Sequence, residues 1–347
     1  MESSSKQTAR RATSAFLIAL AVAIWAVPSE GAAHSFAGRR GRVPTAARPN
    51  NSTFNAHRQR TRDLNAPPLL PAAARFREVE GRGLLVKVWI NNSGPYSFAI
   101  DTGAGATIIS KRVASASRLA LAGLRTVSLS GLSGASGAEG REASLSSLAI
   151  GARDNILPGK GLVIVTDALP PDLDGVLDPT ESYWPLGYTL DLPNDTISAF
   201  DPRETPLRGL SAPPGGAIVQ WLFDGSSRRP FVSLDAGRRA LLDTGSGFGL
   251  AINESAARSF GITSTRGRER EGVRDLGRGR INARRVEPIT IGIGSLALRR
   301  IPTDLLTGTA GGAPVLLGRD ALRPFEISFD PVSRLIRLRP GAASNGR

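Results

Sequence analysis

From residue 76 onward, the hydrophobic positions fall into short β-branched or alternating runs rather than into helical periods. Glycine, proline and asparagine bound most of these runs, as is typical of strands joined by turns. The pattern predicts strands at residues 84–90, 97–100, 127–129, 143–150, 162–165, 218–223, 231–234, 289–293, 327–329 and 335–338, with short helices at 110–119 and 254–260. The predicted fold class is therefore all-β, without alternation of strands and helices.

The part of the chain before residue 76 follows a different pattern. A basic start precedes the apolar stretch 13–27, which is typical of a signal peptide and is short for a membrane span. Residues 1–33 are therefore predicted to be a signal peptide for periplasmic export or secretion; the alternative is an uncleaved N-terminal membrane anchor. Residues 34–75 are rich in arginine, proline and alanine without periodicity, which predicts a disordered basic tether.

Two later segments share one pattern, an internal repeat. Residues 96–110 read YSFAIDTGAGATIIS and residues 239–253 read RALLDTGSGFGLAIN. Each Asp-Thr-Gly is followed, after a middle region of similar length, by an apolar pair, Val176-Leu177 in the first copy and Leu316-Leu317 in the second. Matched spacing of this kind indicates a duplicated unit.

The repeat also predicts the domain organisation. We expect one lobe at residues 76–205 and a second lobe at residues 217–340. A segment rich in proline and glycine, residues 206–216, lies between the two copies and is expected to be their linker.

The amino-acid composition excludes several kinds of catalytic and metal-binding site. The 347 residues include no cysteine and only two histidines, His34 and His57, both in the predicted tether. Disulfides, thiolate metal sites and a cysteine nucleophile are excluded, and so are histidine-dependent triads in the folded part. Most catalytic zinc sites also depend on histidine, so neither a metal nor a cofactor is expected. Acid–base chemistry must come from carboxylates, lysine or tyrosine.

The charge balance bears on the partners. The formal net charge is +14 and comes almost entirely from arginine. Such a balance is typical of proteins that bind nucleic acid or an anionic membrane surface. The chain lacks a basic patch interleaved with aromatic residues, so no nucleic-acid partner is expected. For the arginines of the tether, weak contact with an anionic membrane surface is the alternative to simple solvation.

The repeated motifs resemble the two catalytic loops of aspartic proteases. They read Asp101-Thr102-Gly103-Ala104 and Asp243-Thr244-Gly245-Ser246. The segment Leu316-Leu317-Gly318 is similar to the family's second motif, and alanine after the first Asp-Thr-Gly is typical of the retroviral type. The likeness covers about residues 76–340. It implies a two-lobed fold made of two fused retropepsin-like β-barrel units about a pseudo-twofold axis, in a monomer.

The resemblance also implies the chemistry. Asp101 and Asp243 would meet at the axis and share one proton, so that one carboxyl acts as a base toward water and the other as an acid. The supporting residues would be Thr102 and Thr244, hydrogen-bonded across the axis, with Gly103, Ala104, Gly245 and Ser246 in the loops. The function implied is an exported aspartic endopeptidase acting on peptide or protein substrates. The alternative is a catalytically silent pseudoprotease that binds a peptide or a partner protein.

Three departures from the family pattern raise questions for the structure. Asp178 stands where the family has glycine, and a carboxylate there is expected to disturb the loop that supports Asp101. Neither expected flap contains a tyrosine; the glycine-rich stretch 131–140 takes the place of the first. The second, at residues 266–280, carries six arginines. These are expected to form either a solvated charged hairpin or a basic lip that selects acidic substrates or docks on anionic surfaces.

The proton of the pair is expected to be placed unevenly. Ser246 follows the second motif, and its hydroxyl can donate a hydrogen bond to the neighbouring carboxylate, whereas Ala104 in the first motif has no hydroxyl. A donated hydrogen bond favours the charged form of a carboxyl. The sequence therefore predicts that Asp243 is the carboxyl more often ionised and Asp101 the one more often protonated. The alternative is a nearly symmetric shared proton.

Overall fold

Strands dominate the structure, as the alternating hydrophobic pattern predicted. The computed structural model describes residues 23–25, 70–121, 125–159, 162–224, 227–264 and 266–341, which belong to one compact unit. The predicted signal peptide and tether lie outside these residues, except for 23–25 and 70–75. No helix in the described ranges is long and apolar enough to cross a membrane.

Strands β2 to β12 lie within residues 74–200, here termed the first lobe. Strand β1 (Ala23–Trp25) pairs antiparallel with its edge strand β6. The strands are β2 (Ala74–Val79), β3 (Gly83–Ile90), β4 (Ser93–Ile100), β5 (Ile108–Ser110), β6 (Thr126–Ser130), β7 (Ala138–Ser144), β8 (Leu148–Ile150), β9 (Leu162–Thr166), β10 (Gly175–Leu177), β11 (Gly187–Asp191) and β12 (Thr196–Phe200). Two short helices, α1 (Lys111–Ala116) and α2 (Pro179–Tyr183), follow β5 and β10.

Strands β13 to β23 lie within residues 217–340, here termed the second lobe. They are β13 (Ala217–Gln220), β14 (Leu222–Asp224), β15 (Ser227–Ser233), β16 (Arg239–Asp243), β17 (Leu250–Asn253), β18 (Arg268–Arg274), β19 (Arg280–Ile293), β20 (Leu296–Thr307), β21 (Val315–Gly318), β22 (Phe325–Asp330) and β23 (Leu335–Pro340). Helix α3 (Arg319–Leu322) follows β21, and two 3₁₀ helices span Asp235–Gly237 and Glu254–Phe260.

The two lobes repeat one order of strand pairing. In the first lobe, hydrogen bonding runs from β3 through β4, β10, β5, β9 and β7 to β6. In the second lobe it runs from β15 through β16, β21, β17, β20 and β19 to β18. The strand before each Asp-Thr-Gly, β4 or β16, pairs in parallel with the strand that ends in the apolar pair, β10 or β21. The duplicated sequence pattern is thus matched by a duplicated topology.

A six-stranded sheet joins the lobes in the order β2, β12, β11, β22, β23, β13. At its centre β11 and β22 are antiparallel, with Tyr188 opposite Phe329 and Leu190 opposite Ile327. The rings of Tyr188 and Phe329 stack with centroids 4.5 Å apart. These buried side chains belong to a hydrophobic core that draws residues from both lobes, so the lobes are joined by apolar packing as well as by backbone hydrogen bonds.

Some predicted elements differ from the observed ones. The run 143–150, predicted as one strand, is two strands, β7 and β8, separated at residues 145–147. The carboxamide oxygen of Asn91 accepts hydrogen bonds from the N–H groups of Ser146 and Ser147 there, so these N–H groups do not join a strand ladder. The predicted linker is anchored, because the N–H of Leu207 donates to the buried Asp330 carboxylate at 2.9 Å.

Candidate active site

The two aspartates of the repeated motif lie at equivalent strand ends. Asp101 directly follows β4, where its N–H donates to the carbonyl of Leu177 at 3.0 Å. Asp243 ends β16, opposite Gly318 of β21. Both side chains are fully buried. The structure therefore brings together two aspartates that lie far apart in the sequence.

Each carboxyl is oriented by its own loop. The N–H of Gly103 donates to Oδ1 of Asp101 at 2.8 Å, and the N–H of Ser246 donates to Oδ1 of Asp243 at 3.1 Å. The second oxygen, Oδ2, is buried in both residues without a hydrogen-bonding partner among the described residues. Buried polar atoms of this kind are costly to a fold and concentrate at functional sites. The two unpartnered oxygens thus identify this pair as the candidate functional site.

The glycines of the motif allow the carboxyls to approach the opposite loop. A Cβ on Gly103 would lie 2.9 Å from Cγ of Asp243 and 3.3 Å from Oδ1 of Asp101. A Cβ on Gly245 would lie 2.4 Å from Cγ of Asp101. Each glycine therefore touches the carboxyl of the other motif, and a larger residue at either position would force the pair apart.

The two threonines bind the loops to each other. The N–H of Thr102 donates to Oγ1 of Thr244, and the N–H of Thr244 donates to Oγ1 of Thr102, both at 3.1 Å. The hydroxyl of Thr102 donates to the carbonyl of Leu242 at 2.6 Å, and that of Thr244 donates to the carbonyl of Ile100 at 3.2 Å. All four bonds cross between the lobes, and both threonines are fully buried. These four bonds thus fix the positions of the two motif loops, and of their aspartates, relative to each other.

The two carboxyls have different electrostatic surroundings. Burial raises the pKa of Asp101 well above its usual range, and the charge of Asp243 raises it further. Burial also raises the pKa of Asp243, but the neighbouring Asp101 carboxyl, the N–H of Ser246 and the charge of Arg319 all act to lower it. We therefore place the shared proton on Asp101 and the negative charge on Asp243.

The direction of this asymmetry agrees with the sequence-based expectation, but its cause differs. The backbone N–H of Ser246, not its hydroxyl, donates to the Asp243 carboxylate. The hydroxyl oxygen of Ser246 instead accepts a hydrogen bond from the N–H of Phe248 at 3.3 Å. A further contribution comes from Arg319, which the sequence reasoning did not single out although it follows Gly318 directly.

Substituting Ser246 by alanine should therefore leave the acidic limb of the pH–rate profile almost unchanged, because alanine keeps the N–H that contacts Asp243. The measurement is kcat/KM against pH for Ser246→Ala and the wild type. A shift of about one pH unit or more in that limb would contradict this explanation. It would mean that the hydroxyl of Ser246, and not its backbone N–H, lowers the pKa of Asp243.

Arg319 carries a buried charge next to the loop of the second Asp-Thr-Gly motif. Its side chain is 9% exposed, one Nη donates to the carbonyl of Thr244 at 2.7 Å, and Nε donates to Glu78 at 3.3 Å. Glu78 lies on β2 of the first lobe, so this arginine also links β2 to the second motif. The corresponding position after the first apolar pair is Pro179, which carries no charge.

Asp178 does not disturb the first loop as expected. It caps α2, where its Oδ1 accepts from the N–H of Thr180 at 2.9 Å, and the Asp101–Leu177 backbone bond remains intact. In the second lobe a side chain would not fit, since a Cβ on Gly318 would lie 2.4 Å from the carbonyl oxygen of Phe248. Burial, and next the charge of Glu181, raise the pKa of Asp178 from 3.8 to about 7.

Asp178 should make the protein less stable as the pH rises toward neutrality. Its folded-state pKa lies above the unfolded value, so its contribution to stability is full below pH 3.8 and is lost as the pH rises through about 7.

Asp178→Asn keeps a capping oxygen but cannot ionise. We expect this variant to be more stable than the wild type at pH 8 and to differ little at pH 4, by denaturant unfolding. Asp178→Ala, which loses the cap, should be less stable than Asp178→Asn at both pH values. Equal pH dependence in wild type and Asp178→Asn would contradict this assignment.

Two hairpins pack next to the motif loops: Leu132, from the first, lies in the cluster that contains Phe248, and Leu276, from the second, lies in the cluster that contains Ala104. The β6–β7 hairpin of the first lobe turns at residues 131–137, within the predicted glycine-rich stretch, and the β18–β19 hairpin of the second lobe turns at residues 275–279. Of the arginines on the second hairpin, Arg270 pairs with the buried Asp304 at 3.1 Å, and Arg278 pairs with the exposed Asp167 of the first lobe at 3.5 Å. Arg266 and Arg268 are exposed. The hairpin is therefore held partly by ion pairs and is not simply solvated.

Comparison with known proteins agrees with this geometry. Residues 86–177 match the family model of aspartyl proteases. The fold is of the aspartic-protease type. The matched range contains Asp101 and ends at Leu177, before the second motif, and it supports an aspartyl protease family for the chain. A search of curated proteins gave no match. Among the described residues, no group of three or more histidine, cysteine or acidic side chains is placed to hold a metal ion.

Proposed function

We propose that the chain is an aspartic endopeptidase in which Asp101 and Asp243 together activate a water molecule. The observation that carries this proposal is the pairing of two buried carboxyls, each oriented by one N–H and each with a free buried oxygen. Stability alone does not account for such a pair, because placing two carboxyls together in a buried site is costly unless they share a proton.

The surroundings of the two carboxyls assign their roles. Asp243, as carboxylate, takes a proton from water while the water oxygen bonds to the scissile carbonyl carbon. Asp101, as the protonated partner, gives its proton to the carbonyl oxygen. The tetrahedral intermediate then collapses: the C–N bond breaks, the amine nitrogen takes the proton held by Asp243, and the hydroxyl proton returns to Asp101. No covalent enzyme intermediate forms, which suits a chain without cysteine or an active-site histidine.

The site is further proposed to lie on a pseudo-twofold axis between two fused retropepsin-like units in a monomer. The matched order of strand pairing in the two lobes supports this. So does the antiparallel pairing of β11 with β22, because each of these strands follows the helix that comes after the apolar pair of its own lobe. The hydroxyl of Thr189 donates to that of Ser328 at 3.0 Å, at the point where the axis would pass.

Export to the periplasm or secretion is proposed from the N-terminal sequence alone. The basic start and the apolar stretch 13–27 support it, and so does the absence of cysteine, which makes folding independent of the redox state of the compartment. The alternative is anchoring through the same stretch. Cell fractionation, with and without residues 1–33, distinguishes a soluble exported protein from an anchored one.

A second candidate is a catalytically silent protein that binds peptides through the same site. The complete burial of both aspartates favours the absence of catalysis in this candidate, since neither carboxyl is exposed in this arrangement. Digestion of a peptide library by the purified protein across pH 3–7 separates the two. Cleavage that disappears in Asp101→Asn and Asp243→Asn supports the endopeptidase. Peptide binding without cleavage at any of these pH values supports the silent binder and overturns the proposed activity.

A further inference from the structure

A pocket of about 560 Å³ lies on the outer face of the sheet that joins the lobes. Tyr188 and Phe329 pack into the hydrophobic core. Their neighbours along the strands, Thr189 and Ser328, therefore face the opposite side of the sheet, where they line the pocket. Residues 204–210 form the other wall. The pocket is within the size range of small-molecule sites in proteins.

This pocket is separate from the candidate active site. The core on the inner face of the sheet contains Ile100 and Leu242, which directly precede Asp101 and Asp243 in the sequence. The pocket lies on the other face, and neither aspartate lines it. A ligand in the pocket would therefore bind without touching the two carboxyls.

The wall formed by residues 204–210 is held in place by hydrogen bonds. The N–H of Thr205 donates to the carbonyl of Asp201 at 2.9 Å. The N–H of Leu207 donates to the buried carboxylate of Asp330 at 2.9 Å, which joins this wall to the end of β22. The pocket is therefore formed before a ligand enters, as is usual for small-molecule sites.

Two hydrogen-bond donors in the pocket lining have no acceptor. Nε of Arg337 is buried without a hydrogen-bonding partner among the described residues. Oγ of Ser328 accepts from the hydroxyl of Thr189 at 3.0 Å and from Nη2 of Arg337 at 3.1 Å. In the described part of the chain, the hydroxyl hydrogen of Ser328 itself has no acceptor. Buried donors without a partner are rare and costly, so a ligand that accepts hydrogen bonds would fit between them.

The charges around these donors favour an anion. Two arginines and one glutamate line the pocket: Arg208, Arg337 and Glu204. The charge of Arg337 is only partly balanced, because its partner Glu326 also pairs with Arg339. The surroundings therefore favour a ligand with one negative charge, while Glu204 disfavours a second one.

The rest of the pocket suits an apolar group. Phe200, Pro206 and Leu207 line it, and so does Leu210, which is 50% exposed. An apolar ligand that covers these side chains removes their surface from water, which favours binding. The pocket thus combines unpartnered donors and positive charge with an apolar wall.

We propose that this pocket binds a small monocarboxylate with an apolar body. The carboxylate accepts hydrogen bonds from Nε of Arg337 and from the hydroxyl of Ser328, and the apolar body packs against Phe200 and Leu210. The free C-terminal residue of a peptide and a small organic acid share this chemistry. The proposal goes beyond the proposed endopeptidase function and does not depend on it.

Binding of N-acetylphenylalanine at pH 7 tests the proposal, with the amide NMR signals of residues 207–210 as the readout. We expect these signals to shift with a Kd of about 1 mM or lower. N-acetylphenylalaninamide has the same shape without the charge, and it should bind at least about 10-fold more weakly. Absence of binding by any carboxylate, or equal binding of the amide, would overturn the proposal.

A second acid, 3-phenylpropionate, identifies the source of the carboxylate, because it has the ring and the charge but no peptide group. Binding of N-acetylphenylalanine alone supports a peptide C-terminus as the ligand. Binding of 3-phenylpropionate alone supports a small organic acid. Binding of both supports a site for apolar carboxylates in general.

Substitutions in the pocket test which groups hold the carboxylate. Arg337→Gln removes the charge and Nε, and it should weaken binding of N-acetylphenylalanine at least about 10-fold. Ser328→Ala removes one donor and should weaken binding by about 5-fold. The matched control is Arg339→Gln, which removes the other arginine paired with Glu326 but does not line the pocket. It should bind like the wild type.

Thermal unfolding shows whether each variant is folded. If Arg337→Gln does not fold, Ser328→Ala decides alone. Unchanged affinity in the folded pocket variants would overturn the proposal, and so would an equal loss of affinity in Arg339→Gln.

A further variant separates this pocket from the candidate active site. Asp101→Asn should bind N-acetylphenylalanine like the wild type, because Asp101 lies on the other side of the sheet. Loss of binding in Asp101→Asn would place the acid at the aspartate pair and overturn the proposal. None of these measurements needs peptide cleavage, so failure of the proposed endopeptidase function would leave their outcome unchanged.

Discussion

Replacement of Asp101 by asparagine is expected to lower kcat by about 10³-fold or more, and Asp243→Asn should have an equal effect. Asparagine has the shape of aspartate, but it neither accepts a proton from water nor supplies one to the carbonyl oxygen. The two carboxyls depend on each other, since the charge of Asp243 raises the pKa of Asp101 and so keeps a proton on the pair. The loss should therefore be as large for one substitution as for both together. Steady-state cleavage of a peptide found in the library digestion measures it.

The same variants should fold normally. Burial raises the pKa of both aspartates, so ionising them is unfavourable in the folded protein, and a neutral asparagine should be neutral or stabilising in thermal unfolding at pH 7. Asp154→Asn, in an exposed loop of the first lobe, serves as a matched control and should keep wild-type kcat. Wild-type turnover by either dyad variant would show that the two carboxyls do not act together.

Substitution of Thr102 by valine is expected to destabilise the protein by about 2–6 kcal/mol, because it leaves two buried polar groups unpaired and each costs about 1–3 kcal/mol. The hydroxyl donates to the carbonyl of Leu242 and accepts from the N–H of Thr244, and both groups are buried. Valine keeps the shape and removes both bonds. Because these bonds cross between the lobes, we also expect kcat to fall, as the two aspartates lose their relative position. Denaturant unfolding and peptide turnover measure the two effects.

Thr102→Ser provides the control for this prediction, since it keeps the hydroxyl and loses only a methyl group. It should lie within about 1.5 kcal/mol of the wild type. Thr244→Val should resemble Thr102→Val, because the two threonines make equivalent bonds. Each single variant breaks a different pair of these bonds. The double variant should still be less destabilised than the sum of the two, since residues in contact do not act independently once the first substitution has loosened the loops. A loss below about 0.5 kcal/mol in Thr102→Val, the low end for one net hydrogen bond, would mean that the crossed bonds do not hold the loops.

The strand pattern could be predicted only in part from the sequence. Runs with clear alternation, such as β3 and β9, lie close to their predicted positions. The long hairpin of β19 and β20 was predicted only at residues 289–293, because most of its first strand alternates arginine and polar residues with isolated apolar ones. Arg285 pairs across the hairpin with the buried Asp304 of β20 at 2.9 Å. A local hydrophobic pattern does not contain such pairings.

The two candidate aspartates could be identified from the sequence because the two copies of the repeat can be compared with each other. One Asp-Thr-Gly is an ordinary turn sequence, but two copies at matched distances from an apolar pair require a common structural explanation. The direction of the proton asymmetry was also anticipated, but its cause was not. The N–H of Ser246 is a backbone group that any residue except proline would supply, and Arg319 acts on Asp243 from a distant part of the sequence.

By itself the sequence determined the all-β class, the repeated Asp-Thr-Gly pattern and the two candidate aspartates, because each follows from local periodicity or repetition along the chain. Only the tertiary structure showed that Arg319 contacts the second motif loop and that Asp178 caps a helix. It also showed that the tip of each hairpin buries a leucine in the opposite lobe. These features depend on which groups meet across the lobes and how deeply they are buried. Burial and long-range contact set the strength of charges and hydrogen bonds, and neither can be read from the order of residues.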